Sequence, residues 1–168
     1  MKPLDYDFYH RPCLEVAPDL VGKLLIHNGT ALRISETEAY CGVQDTACHA
    51  CKGRTKRNEV LYFKAGTIYV YLCYGMHWML NVITGEVDDP QGVLIRACVD
   101  AEGPGKLTKT LGITGEQNRD NIVTSQEIWI GDDGFKCGIV TGKRVGIGYA
   151  TQEDQDRPWR FLMQQDAK

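Results

Sequence analysis

The sequence lacks the features that mark membrane-spanning and secreted proteins. No apolar run approaches the roughly 20 residues that a helix needs to cross a bilayer. The opening stretch MKPLDYDFYHRP has no apolar core of the kind found in signal peptides. The seven cysteines are an odd number, which argues against a framework of disulfides. We therefore expect a protein of the cytoplasm, or of the nucleoid if it is bacterial, with reduced thiols.

Nucleotide-binding glycine motifs and repeats are absent as well. Neither a GxGxxG nor a Walker A pattern occurs, and VGIG at 145–148 is too short to indicate a nucleotide site. The sequence shows no internal repeat, low-complexity tract or linker. With 168 residues, 43% of them hydrophobic, the chain is long enough for one domain with a sizeable core, and we expect that domain to span residues 1–168.

One short segment, Cys48-His49-Ala50-Cys51, suggests a metal site. Structural zinc sites need a second pair of ligands, usually a dozen or more residues away. No such pair is visible, and the His-x-Glu and Pro-Cys-x-x-Cys pattern of zinc deaminases is missing too. We therefore expect thiols that pack as small hydrophobic groups, and no bound metal.

The charge distribution gives arguments both for and against a nucleic-acid partner. The net charge of −3 argues against a nucleic-acid partner when the whole chain is considered. Four cations nevertheless lie within six residues, at Lys52, Arg54, Lys56 and Arg57. A local basic strip of this kind can hold phosphates on an acidic protein. A solvated surface loop would carry the same charges, so the strip alone leaves both interpretations open.

The hydrophobic pattern predicts more strands than helices. Strands are indicated at 31–40, 67–74, 79–84, 93–99, 127–130, 144–149 and 160–163, and helices within 12–25 and at 104–111, with a long loop at 41–59. Strands and helices do not alternate regularly, which disfavours a parallel sheet. We therefore expect an α+β domain with a curved, mostly antiparallel sheet and a few short helices.

Two segments place charges where burial is expected. In RISETEAY, the alternation of a strand puts Ile34, Glu36, Glu38 and Tyr40 on one face. In GVLIRACV, Arg96 lies in the middle of an apolar strand. A buried guanidinium needs an anionic partner, which either Glu36 or Glu38 would supply. Such a pair is either structural or a device that holds and polarises a water molecule.

Aromatic residues concentrate in one window. Residues 62–78 hold six of the chain's Phe, Tyr and Trp residues. Tyr69 and Tyr71 share one face of the predicted strand, whereas Tyr74 precedes a glycine at its end, where a ring would project outward. Asn81 adds an amide to an apolar segment. The rings either pack in the core or stack on a planar ligand, with Tyr74 as a wedge.

Taken together, these segments resemble the alkyladenine DNA glycosylase family, the methylpurine-DNA glycosylases of the 3-methyladenine type that lack a helix-hairpin-helix. The matching segments keep the family's order from about residue 7 to 163: RISETEAYCG, a histidine at 49, GTIYVYLCYGMHWMLN, GVLIRA, GPGKL, RVGIGYA and PWRF. The resemblance implies a monofunctional enzyme that flips an alkylated or deaminated purine out of duplex DNA. It would hydrolyse the N-glycosidic bond without lyase activity, metal or organic cofactor, and leave an abasic site.

The resemblance also implies a role for each matching position. Glu38 matches the general base on the attacking water, and Arg96 and the main-chain carbonyl of Val145 match the groups that hold this water. The base pocket would consist of rings that sandwich the flipped base, a backbone segment at its edge and an amide that disfavours guanine. These positions are Tyr40, His49, Tyr71, Ala47 and Asn81.

The implied partner is double-stranded DNA that contains damaged purines. Tyr74 matches the wedge that fills the gap left in the duplex, and beside such a pocket we expect Arg54, Lys56 and Arg57 to contact phosphates. We further expect a monomer with no membrane partner. The connection after Asp100 is shorter than in many family members, which leaves the DNA footprint and the range of lesions open.

Two other functions fit parts of the pattern. A non-catalytic protein that binds damaged bases could share the scaffold, but it would have no use for Glu38 and Arg96 at a water site. An enzyme acting on free nucleosides could use the same two residues. It would need neither Tyr74 as a wedge nor the basic strip at 52–57.

Overall fold

The sheet is organised around one long strand, Thr30–Tyr40, in the computed structural model, which describes residues 1–165. All strand pairs in this part of the chain are antiparallel, and the sheet curls into a half-barrel. Short helices pack against it. The α+β fold with a curved antiparallel sheet is therefore confirmed.

The described residues form nine strands and four α-helices, joined by turns and loops. The strands are β1 (Lys2–Pro3), β2 (Leu24–His27), β3 (Thr30–Tyr40), β4 (Ile68–Cys73), β5 (His77–Ile83), β6 (Gly92–Cys98), β7 (Ile128–Asp132), β8 (Ile139–Gly142) and β9 (Arg160–Met163). The helices are α1 (Tyr6–Tyr9), α2 (Cys13–Leu20), α3 (Pro104–Leu111) and α4 (Gln152–Asp156), with 3-10 turns at His49–Lys52, Glu59–Tyr62 and Gly115–Gln117. The strand order is β1-β7-β2-β3-β6-β5-β4, and β9 pairs with β8 and with the edge of β3 opposite β6.

Helices α2 and α3 cover one face of the sheet and leave the other face for the site. Alternate residues of β4, β5 and β6 point toward the helices, and each fully buried aliphatic side chain contributes about 1.5–3 kcal/mol. The remaining residues of the same strands face the opposite side, called here the site face. The core side chains of these strands on the helix side are Ile68, Val70, Leu80, Val82, Val93 and Ile95.

The two covering helices end where the sequence can no longer continue them. Helix α3 begins with Pro104 in its first turn and ends at Gly112, whose φ of 69° is the left-handed conformation usual after a helix. The predicted helical segment 12–25 is only partly confirmed. Helix α2 ends at Leu20, Gly22 has a φ of 93°, and residues from Leu24 onward join the sheet as β2.

Two further predictions about strands are wrong. Residues 144–149 form a loop, because Gly146 adopts a φ of 74° that interrupts any extended run. The simple alternation along β3 also fails, because the pairing of β3 with β6 shifts around Glu36. As a result Ile34 packs in the core beneath the helices, whereas Glu38 lies on the site face.

Candidate active site

Strand β3 delivers Glu38 to the centre of the site face. Its side chain is fully buried, and its strand is paired on both edges at this point. Oε1 accepts a hydrogen bond from the hydroxyl of Tyr40 at 2.8 Å, and Oε2 accepts one from the backbone N–H of Val145 at 2.8 Å. A donor on each oxygen is what a buried carboxylate requires.

The predicted ion pair with Arg96 is present, and it selects Glu38 over Glu36. The Nε of Arg96 on β6 lies 3.5 Å from Oε2 of Glu38, and the Arg96 side chain is largely buried. Glu36 instead accepts two hydrogen bonds from Arg160 of β9, at 2.9 and 3.1 Å, at a partly exposed position. The two carboxylates of one strand therefore have separate partners.

An aromatic pocket adjoins the carboxylate. Tyr40, His49, Tyr69 and Tyr71 line it together. The ring centroids of His49 and Tyr71 are 4.6 Å apart, and Nδ1 of His49 lies 3.0 Å from the hydroxyl of Tyr69. Burial raises the pKa of Tyr69 to about 12. It lowers the pKa of His49, and the charge of Arg57 lowers it further. The pocket walls are therefore neutral near pH 7.

Two polar groups border this pocket. Asn81 is buried opposite Tyr69, and its Nδ2 donates to the carbonyls of Tyr69 at 3.2 Å and Met79 at 3.3 Å. These two bonds fix the carboxamide on the pocket wall. The carbonyl of Ala47 accepts a hydrogen bond of 2.9 Å from the hydroxyl of Tyr149, which holds the loop after β3 in place.

Tyr74 occupies a strained and exposed turn between β4 and β5. The N–H of Met76 donates to the carbonyl of Cys73 at 3.1 Å, and the two central residues, Tyr74 and Gly75, have φ values of 52° and 65°. Such a turn favours residues without bulky side chains, and a left-handed tyrosine costs about 1–2 kcal/mol. The Tyr74 side chain is nevertheless 89% exposed, so no packing interaction offsets this cost.

Tyr74 lines two grooves. The carboxylate groove, of about 550 Å³, contains three neighbours of Glu38, namely Tyr40, Arg96 and Val145, together with Lys106. The basic groove, of about 720 Å³, also includes Tyr74 and contains Lys52 and Arg57, among other residues. Both volumes lie within the range of about 300–1,000 Å³ that is usual for ligand-binding clefts.

The structure divides the predicted phosphate-binding strip. Arg57 lines the basic groove, and Lys56 is exposed next to it. Arg54 instead pairs with Asp88 at 3.3 Å, and its guanidinium lies 4.8 Å from the centre of the Tyr62 ring. Lys106 of the carboxylate groove is an additional cation that the charge pattern did not indicate.

Three residues of the site were not predicted from the sequence. Asp45 and Arg144, 99 positions apart, form a buried ion pair with contacts of 2.6 and 2.9 Å behind the ring of Tyr40. Tyr149 lines the pocket and both grooves. Arg144 and Tyr149 belong to the RVGIGYA segment, which was a usable signal, whereas nothing in the sequence around Asp45 indicated its partner.

The cysteines are free thiols, and Cys48 and Cys51 do not form part of a larger ligand set. Among residues 1–165, no group of three His, Cys, Asp or Glu side chains is arranged to hold a metal ion. Over the same residues, no helix is both long and apolar enough to cross a membrane.

A family model described as "Methylpurine-DNA glycosylase (MPG)" matches residues 7–102 and 100–167. The chain belongs to the methylpurine-DNA glycosylase family. A protein of Methanocella arvoryzae is 43% identical over 185 residues, which cover 96% of this chain and 92% of that protein. It is named "Putative 3-methyladenine DNA glycosylase".

Two bacterial relatives of this glycosylase carry the same name. The protein of Rickettsia rickettsii is 39% identical over 168 residues, which cover 96% of this chain and 90% of that protein. The protein of Desulfitobacterium hafniense is 39% identical over 196 residues, which cover 98% and 96% of the two chains. The chain is thus a DNA N-glycosylase of the 3-methyladenine type, with DNA as its substrate, and the whole site lies inside the family match.

Proposed function

We propose that this glycosylase flips an alkylated purine out of duplex DNA and hydrolyses its N-glycosidic bond directly, with Glu38 as general base on the attacking water. The observation that supports this best is the fully buried Glu38 carboxylate, whose three neighbours Tyr40, Arg96 and Val145 line the same groove as the exposed ring of Tyr74. A general base must lie within hydrogen-bond reach of the proton that it removes. In the proposal a nucleotide flipped into this groove would lie against the residues that surround the carboxylate.

Extrusion of the base requires a group that fills the gap. An enzyme cannot reach a glycosidic bond inside the stack, so the nucleotide rotates outward at a cost of a few kcal/mol. Minor-groove wedges partly unstack the duplex, and the contacts that follow offset the cost. In the proposal Tyr74 is this wedge, because its ring is exposed and already held outward by its turn.

The flipped base would stack between Tyr40 on one side and His49 with Tyr71 on the other. The contact of the His49 and Tyr71 rings supports a single composite wall. Base–aromatic stacking contributes about 1–3 kcal/mol and tolerates different bases. An alkylated purine carries positive charge, so the electron-rich tyrosine faces favour it over neutral bases. The fixed amide of Asn81 would disfavour guanine through its 2-amino group.

Deaminated purines such as hypoxanthine are included in the proposal as weaker substrates. These neutral bases need protonation as they leave, and the backbone around Ala47 to His49 is the segment that would contact the base edge. The short hydrogen-bonded turns of that segment give it a fixed geometry. Hypoxanthine release below the rate for 3-methyladenine is the expected result.

The bond changes are those of a hydrolysis. As the bond between C1′ and the purine nitrogen breaks, the sugar acquires oxocarbenium character and the base leaves with the bonding electrons. Water attacks C1′ and gives a proton to Glu38, while Arg96 and the carbonyl of Val145 hold the water. The products are a free base and an abasic site. No amine attacks the sugar, so the pure protein should not cleave the strand at an abasic site.

The first experiment measures release of 3-methyladenine and 7-methylguanine from methylated duplex DNA by the natural protein and by Glu38→Gln. Loss of a general base lowers the rate by about 10²–10⁴-fold. The amide keeps the shape of the carboxylate, so binding of lesion-containing DNA should persist. Glu36→Gln is the matched control, because Glu36 lies on the same strand with Arg160 as its partner.

Two outcomes would contradict the proposal. Tight binding of lesions without release by the natural protein would indicate a damage-binding protein. Equal release by Glu38→Gln would remove this carboxylate from the chemistry.

DNA would lie across both grooves, with Lys52 and Arg57 in one groove and Lys106 in the other. Release of counterions from phosphates makes such binding salt-dependent. We expect affinity to fall steadily as salt rises, with a smaller slope for Arg57→Gln. An affinity that does not change with salt would exclude this surface.

We further propose that the enzyme acts as a monomer without metal or organic cofactor, in the compartment that holds the DNA. The site's own residues supply the general base and the stacking walls. Activity should survive dialysis against a chelator, and sedimentation should give one chain both alone and on DNA. Loss of activity that zinc restores would overturn the metal-free mechanism.

A further inference from the structure

The ion pair between Asp45 and Arg144 is the most deeply buried charged pair in residues 1–165. The side chain of Arg144 is fully buried and that of Asp45 is 1% exposed, and two parallel hydrogen bonds of 2.6 and 2.9 Å join them. Desolvation makes a buried ion pair an inefficient source of stability. The contacts that Asp45 and Arg144 make with residues of the site indicate a role in positioning those residues.

Asp45 fixes the backbone immediately after Tyr40. Its Oδ2 accepts the N–H of Cys41 at 2.9 Å, and its Oδ1 accepts the N–H of Ala47 at 3.1 Å. One carboxylate thus determines how the chain leaves β3 and where the loop toward His49 begins.

Arg144 fixes the ring of Tyr40 from behind. Its guanidinium lies between two rings, 5.0 Å from the centre of Tyr40 and 4.9 Å from that of Trp159. It also donates to the carbonyl of Ala39 at 3.0 Å. A planar guanidinium suits this double stacking, whereas an ammonium does not.

Two groups that the Asp45–Arg144 pair holds in place donate hydrogen bonds to the same carboxylate, that of Glu38. Arg144 precedes Val145, whose N–H bonds to Oε2 of Glu38, and it stacks on Tyr40, whose hydroxyl bonds to Oε1. Arg96 reaches Glu38 independently from β6. Two of the three groups around Glu38 therefore depend on the position of one buried pair.

We propose that Asp45 and Arg144 are positioning residues for the glycosylase reaction: they hold Tyr40 and Val145 so that both oxygens of Glu38 are fixed toward the water. This inference rests on the function proposed above. The pair does not touch the substrate in this scheme. It sets the rate of bond cleavage and leaves DNA binding to the grooves.

The test compares two pairs of opposite charges on the same scaffold. In Asp45→Asn/Arg144→Gln both charges are removed together, so no uncompensated charge stays buried. The matched control is Glu36→Gln/Arg160→Gln, which removes an ion pair next to Glu38 that has no contact with its carboxylate. Single-turnover release of 3-methyladenine and the Kd for lesion DNA are measured below the unfolding transition of every variant.

We expect the Asp45/Arg144 double variant to release base about 10- to 100-fold more slowly, as when hydrogen bonds to a charged group lose their geometry. Its Kd should stay within about 3-fold of the natural value, which corresponds to less than 1 kcal/mol. The control variant Glu36→Gln/Arg160→Gln should change neither the release rate nor the Kd. Arg144→Lys, which keeps the charge but not the planar fork, should show the same separation of rate from Kd if the double variant does not fold.

Equal rates in the natural protein and the folded variants would overturn the inference, as would a parallel loss of rate and affinity. Both results presuppose that the natural protein releases base. If it releases none, the proposed function fails, and the inference fails with it.

Discussion

The aromatic pocket and the centre around the Glu38 carboxylate share one face of the sheet but are built in opposite ways. The pocket takes its amide and most of its rings from residues 40–81, with Tyr149 added from later in the chain, and it has neutral walls. The centre joins Glu38, Arg96 and Val145 from three distant parts of the chain around buried charge. Stacking tolerates small displacements, whereas hydrogen bonds to a carboxylate are directional. We therefore expect binding and rate to respond to different substitutions.

The largest effect is expected from replacing Tyr74, the proposed wedge, and it tests the difference between binding and rate. In Tyr74→Asn the ring is lost, and asparagine accepts the left-handed backbone at little cost. Release from duplex DNA should fall about 10- to 100-fold, in line with stacking of about 1–3 kcal/mol. The unfolding free energy should rise by up to about 1 kcal/mol as backbone strain is relieved. Chemical unfolding and single-turnover assays measure the two changes.

A lesion in single-stranded DNA serves as the control for Tyr74→Asn. It needs no wedge, so its release should stay near the natural rate. An equal loss on single and double strands would mean that Tyr74 acts on the chemistry and that the contrast between binding and rate is wrong.

A second prediction separates the two functions of the pocket rings. Tyr40→Phe removes the hydroxyl that donates to Glu38, so release should slow about 10-fold while the Kd for lesion DNA stays constant. Tyr71→Phe keeps its ring in the same pocket, and among the described residues its hydroxyl has no hydrogen bond to lose. It should therefore be nearly silent in both assays. Similar release rates for Tyr40→Phe and Tyr71→Phe would show that the Tyr40 hydroxyl has no special role in the reaction.

The smallest expected effect is a change in the pKa of His49, the residue whose titration would charge the pocket wall. Burial lowers the pKa of His49 from its ordinary value of 6.5, and Arg57 lowers it further. In Arg57→Gln, NMR titration should show this pKa rising while staying below 6.5, whereas Arg54→Gln should leave it unchanged. Because the folded state favours neutral His49, its contribution to stability is complete above pH 6.5 and is lost as the pH falls below that value.

Local patterns predicted where several aromatic side chains lie. The two-residue period of β4 placed Tyr69 and Tyr71 on one face, and the glycine after Tyr74 indicated an outward ring. The charge of Arg96 in an apolar strand predicted an acidic partner correctly, because burial of a guanidinium leaves few alternatives. Each of these inferences depends on interactions within one strand or on a strong energetic requirement.

The features that sequence reasoning missed depend on distant contacts. The shift in pairing near Glu36 arises between β3 and β6 and has no signature in β3 alone. Asp45 and Arg144 meet only after the chain has closed the half-barrel. The segment 144–149 reads as a strand by composition, yet Gly146 breaks it. Local propensity yields to tertiary context at such positions.

The place of β9 has a consequence for the order in which the protein matures during synthesis. Most of the residues that border the pocket precede residue 82, although Tyr149 does not, and Glu38 gains its second neighbouring strand only when β9, Arg160–Met163, docks against β3. Val145 also belongs to this late part of the chain. Because chains emerge from the ribosome N-terminus first and domains generally fold as units, Glu38 cannot have all of its neighbours until nearly the whole chain has been made. Hydrolytic competence would thus be the last property that the growing polypeptide acquires.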